Sequence, residues 1–291
     1  MPARHHIVYK DKNIVGALPC FISQFGNTPF RRLDSSRPGF GGPLLLNDRK
    51  NTLEKLLKQA SKYISNTVIG HRVISNNLNH LKFNKIFFHS GYRLRVDNIN
   101  VVISLEESWN EIYSRMKKSR RYEIKRANTE EVIELEHTTK NIDQLIEINN
   151  QVLKKHKARL LKDTFYHALM DQFGEKAKIF AVKKDETVIG GYLLLEDQPK
   201  NTLRALLGGI PDIEKYSHHT ADLFAKMFQY GKENEYKFLE LGGVPTDIED
   251  GLYRFKESLG GTDYPIYCWE KGNLIHSTLK TALKYLRMTR K

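Results

Sequence analysis

A lysine that follows a phenylalanine just beyond a Leu-Gly-Gly strand end is the most chemically suggestive feature of this 291-residue sequence. Phe238–Leu241 reads as a strand running into Gly242 and Gly243, and a short helix from about Gly251 to Leu259 carries Phe255 and Lys256. Glycines allow close backbone approach at a strand end. Ligands of α/β proteins collect at the carboxyl edge of the sheet. A lysine placed there can neutralise charge developing on a carbonyl oxygen or an ester leaving group. Without that context, a lysine on a helix is more often simply solvated.

Other residues invite a similar weighing. Arg204 interrupts the apolar strand Leu203–Leu207, and a charge there should face a cleft or a partner, because unpaired burial is costly. The bland alternative is a strand-edge arginine reaching solvent. Arg115, Lys117, Lys118, Arg120, Arg121, Lys125 and Arg126 stand against a single acid, Glu123, with Tyr122 between them. On one helix they could grip a phosphate backbone, although charge runs are usually solvated faces. His218 and His219 could act as bases, with helix capping or exposure as the plainer reading. No Gly-x-Ser-x-Gly elbow, Walker loop or zinc-ligand spacing occurs, and no metal site is expected.

Composition narrows the partners. Lys plus Arg total 47 against 34 Asp plus Glu, a formal charge of +13. Such a balance favours a polyanion: RNA, a nucleotide-bearing substrate or an anionic membrane surface. Cys20 and Cys268 form neither a disulfide framework nor a zinc set, and read as reduced buried thiols. No run approaches the ~20 apolar residues that cross a bilayer, and Met1–Asn13 holds no apolar run of a secretory signal. The expected location is the cytoplasm.

Hydrophobic periodicity supplies the scaffold. The first hundred residues read mainly as strands with a helix over 51–63, beginning with a hairpin around Lys10–Asn13. From Glu106 onward the order is β-α-α-β-β-β-α-β-α-β, with one helix carrying Trp109, Ile112, Met116, Ile124 and Ala127. The first half repeats part of that order without the opening β-α portion. The pattern predicts an α/β (α+β) chain with a first domain over 1–105, a second over 106–274, and a basic C-terminal helix.

Three segments, in order, resemble the Fem-type aminoacyltransferases, enzymes of the peptidoglycan interpeptide bridge built from two GNAT-like domains. Gly251–Gly261, preceded by Leu239–Gly243, resembles the signature near the family's C-terminal end. Ser108–Ala127 resembles the Arg-rich helix that opens the second domain, and Arg37–Leu46 more loosely resembles a Gly-rich loop of the first. The resemblance implies two GNAT-like domains with mixed sheets, the first abbreviated at its start, and a last helix, 275–291, folded back on the first domain.

It also implies a chemistry. An amino acid passes from aminoacyl-tRNA, a cosubstrate rather than a bound cofactor, to an amine on a cell-wall precursor. Phe255 and Lys256 match the functional Phe-Lys pair, and Arg121 is the implied contact of the basic helix. Lys162 and Tyr166 match an Arg/Tyr pair that holds the precursor's phosphates; four apart, they share a face if helical. Lysine in place of arginine loses the bidentate fork. The fold class also contains N-acyltransferases that take acyl-CoA or a carrier thioester. Their pyrophosphate loop would correspond to Gly208–Thr220, where Pro211 removes an amide and Asp212 and Glu214 add negative charge. A third reading is a non-catalytic RNA-binding protein on the same fold.

Overall fold

The computed structural model describes residues 3–35, 41–47, 49–76, 78–128, 131–156, 158, 160–184, 187–216 and 218–288. Four residues of the Gly-rich segment 37–46 therefore lie outside the described residues, as do 289–291 and the side chains of 284–288. The fold is mixed α/β. Its contacts divide the chain into Met1–Ile99 with Pro265–Lys291, and Asn100–Tyr264.

The first unit opens with β1 (His6–Lys10) and β2 (Asn13–Leu18), an antiparallel hairpin. Asp11 and Lys12 sit at φ 49° and 65°, the conformation of a tight turn whose twist suits the flanking strands. Pro19 ends β2, so the apolar run 14–23 is two strands; β3 is Phe21–Gln24. β4 (Arg31–Asp34), β5 (Leu44–Leu45), α1 (Lys50–Ser61), β6 (Val68–Ser75) and α2 (Asn84–His89) follow. β7 (Arg93–Ser104) carries the chain into the second unit. α1 buries Thr52, Leu53, Leu56, Leu57 and Ala60, the helical spacing of one apolar face. β5 adds to the hairpin to make a three-stranded sheet.

The second unit contains two short helices, α3 (Trp109–Arg115) and α4 (Lys118–Lys125), where periodicity predicts one. The chain is extended at Met116 and Lys117, with ψ 145° and 146°. Met116 is buried, and the Lys117 amide donates to the Ser258 carbonyl at 3.0 Å. Then come β8 (Val132–Leu135), α5 (Thr139–Lys155), α6 (Asp163–Phe173), β9 (Ala177–Lys184), β10 (Thr187–Asp197) and β11 (Thr202–Gly209). α7 (His219–Glu233), β12 (Phe238–Pro245) and α8 (Gly251–Ser258) complete it. The strand order from β12 is β12-β11-β10-β9-β8. Alternate residues of a strand face opposite sides. Ile179 and Leu193 therefore pack with α5 and α6, while Phe180 and Tyr192 meet Tyr230 and Phe224 of α7 edge-on.

β13 (Thr262–Gly272) and α9 (Leu274–Met288) return to the first unit. The division thus falls at Pro265 rather than at 274, because β13 pairs with β6 from Tyr267↔Ser75 to Gly272↔Gly70. That last glycine pair makes a notch: a Cβ on Gly272 would lie 2.3 Å from the His276 ring, and one on Gly70 3.0 Å from it. His276, buried at the start of α9, fills the notch and seats the helix.

Candidate active site

The second unit positions Lys256 against β12 beyond the point where that strand's pairing with β11 ends. β11 and β12 run parallel and pair at Thr202↔Phe238, Leu203↔Leu239 and Arg204↔Glu240. Two residues past the last pair, the Gly242 carbonyl accepts a hydrogen bond from Lys256 Nζ at 3.2 Å. Gly242 has φ 81°, a region that favours glycine. Asp250 caps α8 by accepting the Tyr253 amide at 2.9 Å, which fixes the helix that carries the lysine. Lys256 is 9% exposed. Burial pulls its pKa down to about 8, and Asp250 opposes the shift.

Phe255 is half-buried, edge-on to Phe224 of α7 at 5.3 Å. The guanidinium of Arg120 covers its ring at 4.9 Å from the centroid. Arg120 also donates to Ser258 Oγ at 3.2 Å and pairs with Glu123. The structure thus gathers Lys256, Phe255 and Arg120. The sequence offers Arg120 only as one member of a phosphate-gripping run, although a signal for its inward role existed: it lies four residues before Ile124, the buried apolar residue of α4.

The other candidates stand elsewhere. The Arg121 guanidinium makes no ion pair or hydrogen bond among the described residues, while its carbonyl accepts the Tyr113 hydroxyl at 2.9 Å. The expected phosphate-gripping face is broken up. Arg115 pairs with Glu107, Lys117 with Glu257, and Arg126 lies over Tyr122. Arg204 is held between Glu240, its ladder partner, and Asp197 at 2.9 Å. Burial raises the Glu240 pKa against the pull of Arg204.

Lys162 and Tyr166 do not share a helix face. Lys162 is the exposed, extended N-cap of α6 (φ −77°, ψ 144°), whereas Tyr166 is fully buried in the core under α5 and α6. Asn149 of α5 donates to the Tyr166 hydroxyl and accepts the Gly208 amide at 3.1 Å. Gly208 has φ 134°, and a Cβ there would lie 2.1 Å from the Gly191 carbonyl. The bridge therefore holds the end of β11 through residues that only glycine can supply.

His219 is buried rather than exposed. Among the described residues, Glu131, His219 and Asp222 bring one ligand atom each within 4.8 Å of one another. His219 Nε2 lies 3.5 Å from Glu131, and Asp222 accepts the Asn128 amide at 2.9 Å, contacts that tie down the start of α7. A concavity of about 440 Å³ between β8, α5, β9 and β10 involves none of the candidate site residues. No helix is long and apolar enough to cross a membrane among the described residues.

The sequence matches no protein-family model and no curated protein. Among solved structures, the chain is similar to FemX over 94% of its length and 88% of that chain, with a TM-score of 0.67 and 12% identity. It is similar to the C-terminal domain of a lysylphosphatidylglycerol synthetase candidate from Agrobacterium fabrum, covering 98% of this chain and 88% of that one, with a TM-score of 0.63 and 13% identity. A tandem GNAT protein from the clavulanic acid biosynthesis pathway matches over 93% and 83%, with a TM-score of 0.55 and 10% identity. The fold is therefore the tandem GNAT-like fold shared by FemX.

Proposed function

We propose that this protein transfers an acyl or aminoacyl group onto an amine, with Lys256 as the electrostatic catalyst. The observation that carries this reading is a buried lysine hydrogen-bonded to a glycine of β12 beyond that strand's last pair with β11, on a fold shared with transferases. The acceptor amine attacks an ester or thioester carbonyl. Negative charge grows on the carbonyl oxygen and then on the leaving oxygen or sulfur. The Lys256 ammonium, cationic at neutral pH with a pKa of about 8, offsets that charge where water is scarce. Phe255 walls the site and Arg120 holds Phe255 in place. No general base is assigned.

The proposed donor is aminoacyl-tRNA and the proposed acceptor an amine of a cell-wall precursor or a similar compound. The Phe255-Lys256 signature and the likeness to FemX support this choice. Arg121 and the exposed Lys162, whose side chains make no ion pair or hydrogen bond among the described residues, are the proposed contacts of an anionic substrate. Tyr166 and Arg204 serve the scaffold instead, one sealed in a core and the other bound by two carboxylates.

The test is donor discharge. Purified protein is mixed with labelled aminoacyl-tRNA, or separately with labelled acetyl-CoA, plus a protein-free extract as a source of acceptors. Loss of label from tRNA that disappears in Lys256→Ala supports the reading. Loss from acetyl-CoA alone moves the donor to a thioester. Retention of both labels, with RNA binding that fades steeply with salt, favours the non-catalytic reading.

A further inference from the structure

Three side chains able to ligate a metal converge at the start of α7. His219 and Asp222 stand three residues apart on the helix, which puts them on one face. Glu131 reaches them from just before β8. Each offers one ligand atom, and the three atoms lie within 4.8 Å of one another. His219 Nε2 and a Glu131 oxygen are already 3.5 Å apart. Two ligands about a tetrahedral zinc stand roughly 3.3 Å apart, given bonds of about 2.0–2.1 Å. Asn128 orients both carboxylates: its amide donates to Asp222 Oδ1 at 2.9 Å and its side chain to Glu131 Oε1 at 3.1 Å. Outer partners of this kind fix the ligands of metal sites.

The histidine gives an independent sign of a ligand. It is 2% exposed, its Nδ1 is buried without a hydrogen-bond partner, and Nε2 has only the long contact with Glu131. Buried imidazoles ordinarily satisfy their ring nitrogens. Burial, then the neighbouring His218, holds the His219 pKa below its ordinary value against the pull of Asp222 and Glu131. The ring is therefore neutral near pH 7, the form that ligates metals. Two carboxylates beside a neutral ring leave two negative charges. Neither pairs with a lysine or arginine among the described residues, and the nearby Lys184 lies over the Tyr216 ring instead. One imidazole and two carboxylates, with no thiolate, suit a borderline divalent ion such as zinc. Three protein donors leave a position for water, and the Glu131 side chain, 42% exposed, leaves a way in. We propose that Glu131, His219 and Asp222 bind one zinc ion, which clips the start of α7 to the segment between α4 and β8.

The experiment is calorimetric titration of the full chain, stripped of metal by a chelator, with zinc chloride. One equivalent is expected to bind with a micromolar or tighter Kd and to raise the Tm. Cobalt(II) in the same place should give visible absorption bands that zinc abolishes. Glu131→Gln, at the rim of the cluster, and Asp222→Asn should each weaken zinc binding at least about tenfold. His5→Ala with His6→Ala removes the histidine pair near the N-terminus and should leave binding unchanged. Thermal unfolding without metal reports whether each variant is folded, and no readout depends on transfer activity. Undiminished binding by the folded Glu131→Gln protein overturns the site. So does loss of binding in the His5, His6 variant, which gives the zinc to the terminal pair, or the absence of stoichiometric binding by the native chain.

Discussion

Lys256 Nζ donates to the carbonyl oxygen of Gly242 at 3.2 Å, joining the helix α8 to a strand that has already parted from its parallel neighbour. The lysine is buried, and its nearest opposing charge effect comes from Asp250, which raises a pKa that burial has lowered. A cation kept in such a place is poised to act and stabilises the fold poorly.

Lys256→Met should therefore separate activity from stability. Transfer is expected to fall at least about a hundredfold. Stability at pH 7 is expected to rise by roughly 1–3 kcal/mol, because the folded state holds that proton less tightly than the unfolded chain. The gain should be full below about pH 8 and shrink between about 8 and the ordinary lysine value of 10.5, where the unfolded native chain binds more protons. Denaturant unfolding of both proteins across this range checks it.

Turnover should depend on the charge of Lys256. Activity is expected to decline as pH rises through about 8. Asp250→Asn keeps a residue able to cap α8 but removes the charge that raises the lysine pKa, so the declining limb should move to lower pH. A limb that stays in place, measured in the folded variant by discharge assays over a pH series, would sink the assignment.

Arg120 and Arg121 should behave differently although adjacent. Arg120→Ala strips the cover from Phe255 and the bond to Ser258, and about a tenfold loss in kcat/KM is expected. Arg121→Ala removes a charge without a side-chain partner among the described residues, so any loss should appear in KM and grow weaker with salt. Steady-state kinetics at two ionic strengths distinguish the two.

Tyr166→Phe should leave KM for both substrates unchanged and lower stability by about 1 kcal/mol, since the hydroxyl meets Asn149 in a sealed core. Asn149→Ala strands both the Tyr166 hydroxyl and the Gly208 amide and should cost about 2–4 kcal/mol. Equilibrium denaturation measures both. A raised KM in Tyr166→Phe would restore the tyrosine to the substrate site.

The fold was legible where a local pattern carries its own physics. The Lys10–Asn13 turn, the 51–63 helix and the short helix carrying Phe255 and Lys256 each follow from nearby residues, whereas the strand expected to end at Gly242 runs on to Pro245. The break between α3 and α4 was not legible. Both halves have helical periodicity, and the interruption comes from the distant Ser258 carbonyl capturing the Lys117 amide. That break hid the inward direction of Arg120. Tyr166 was misread because a motif match says nothing of burial, which depends on α5 lying over α6. Arg204 was flagged for sitting in an apolar strand, yet its partners Asp197 and Glu240 come from two other strands, and only the sheet order joins them.

The pairing of β6 with β13 sets an order of assembly. Residues 100–264 can gather their own core as soon as they emerge from the ribosome. The earlier residues 1–99 must wait, because the strand that pairs with β6, and the histidine that fills the Gly70–Gly272 notch, are synthesised nearly two hundred residues after β6 itself. During that interval one edge of β6 stands open, and it is there that a nascent chain would need a chaperone's attention.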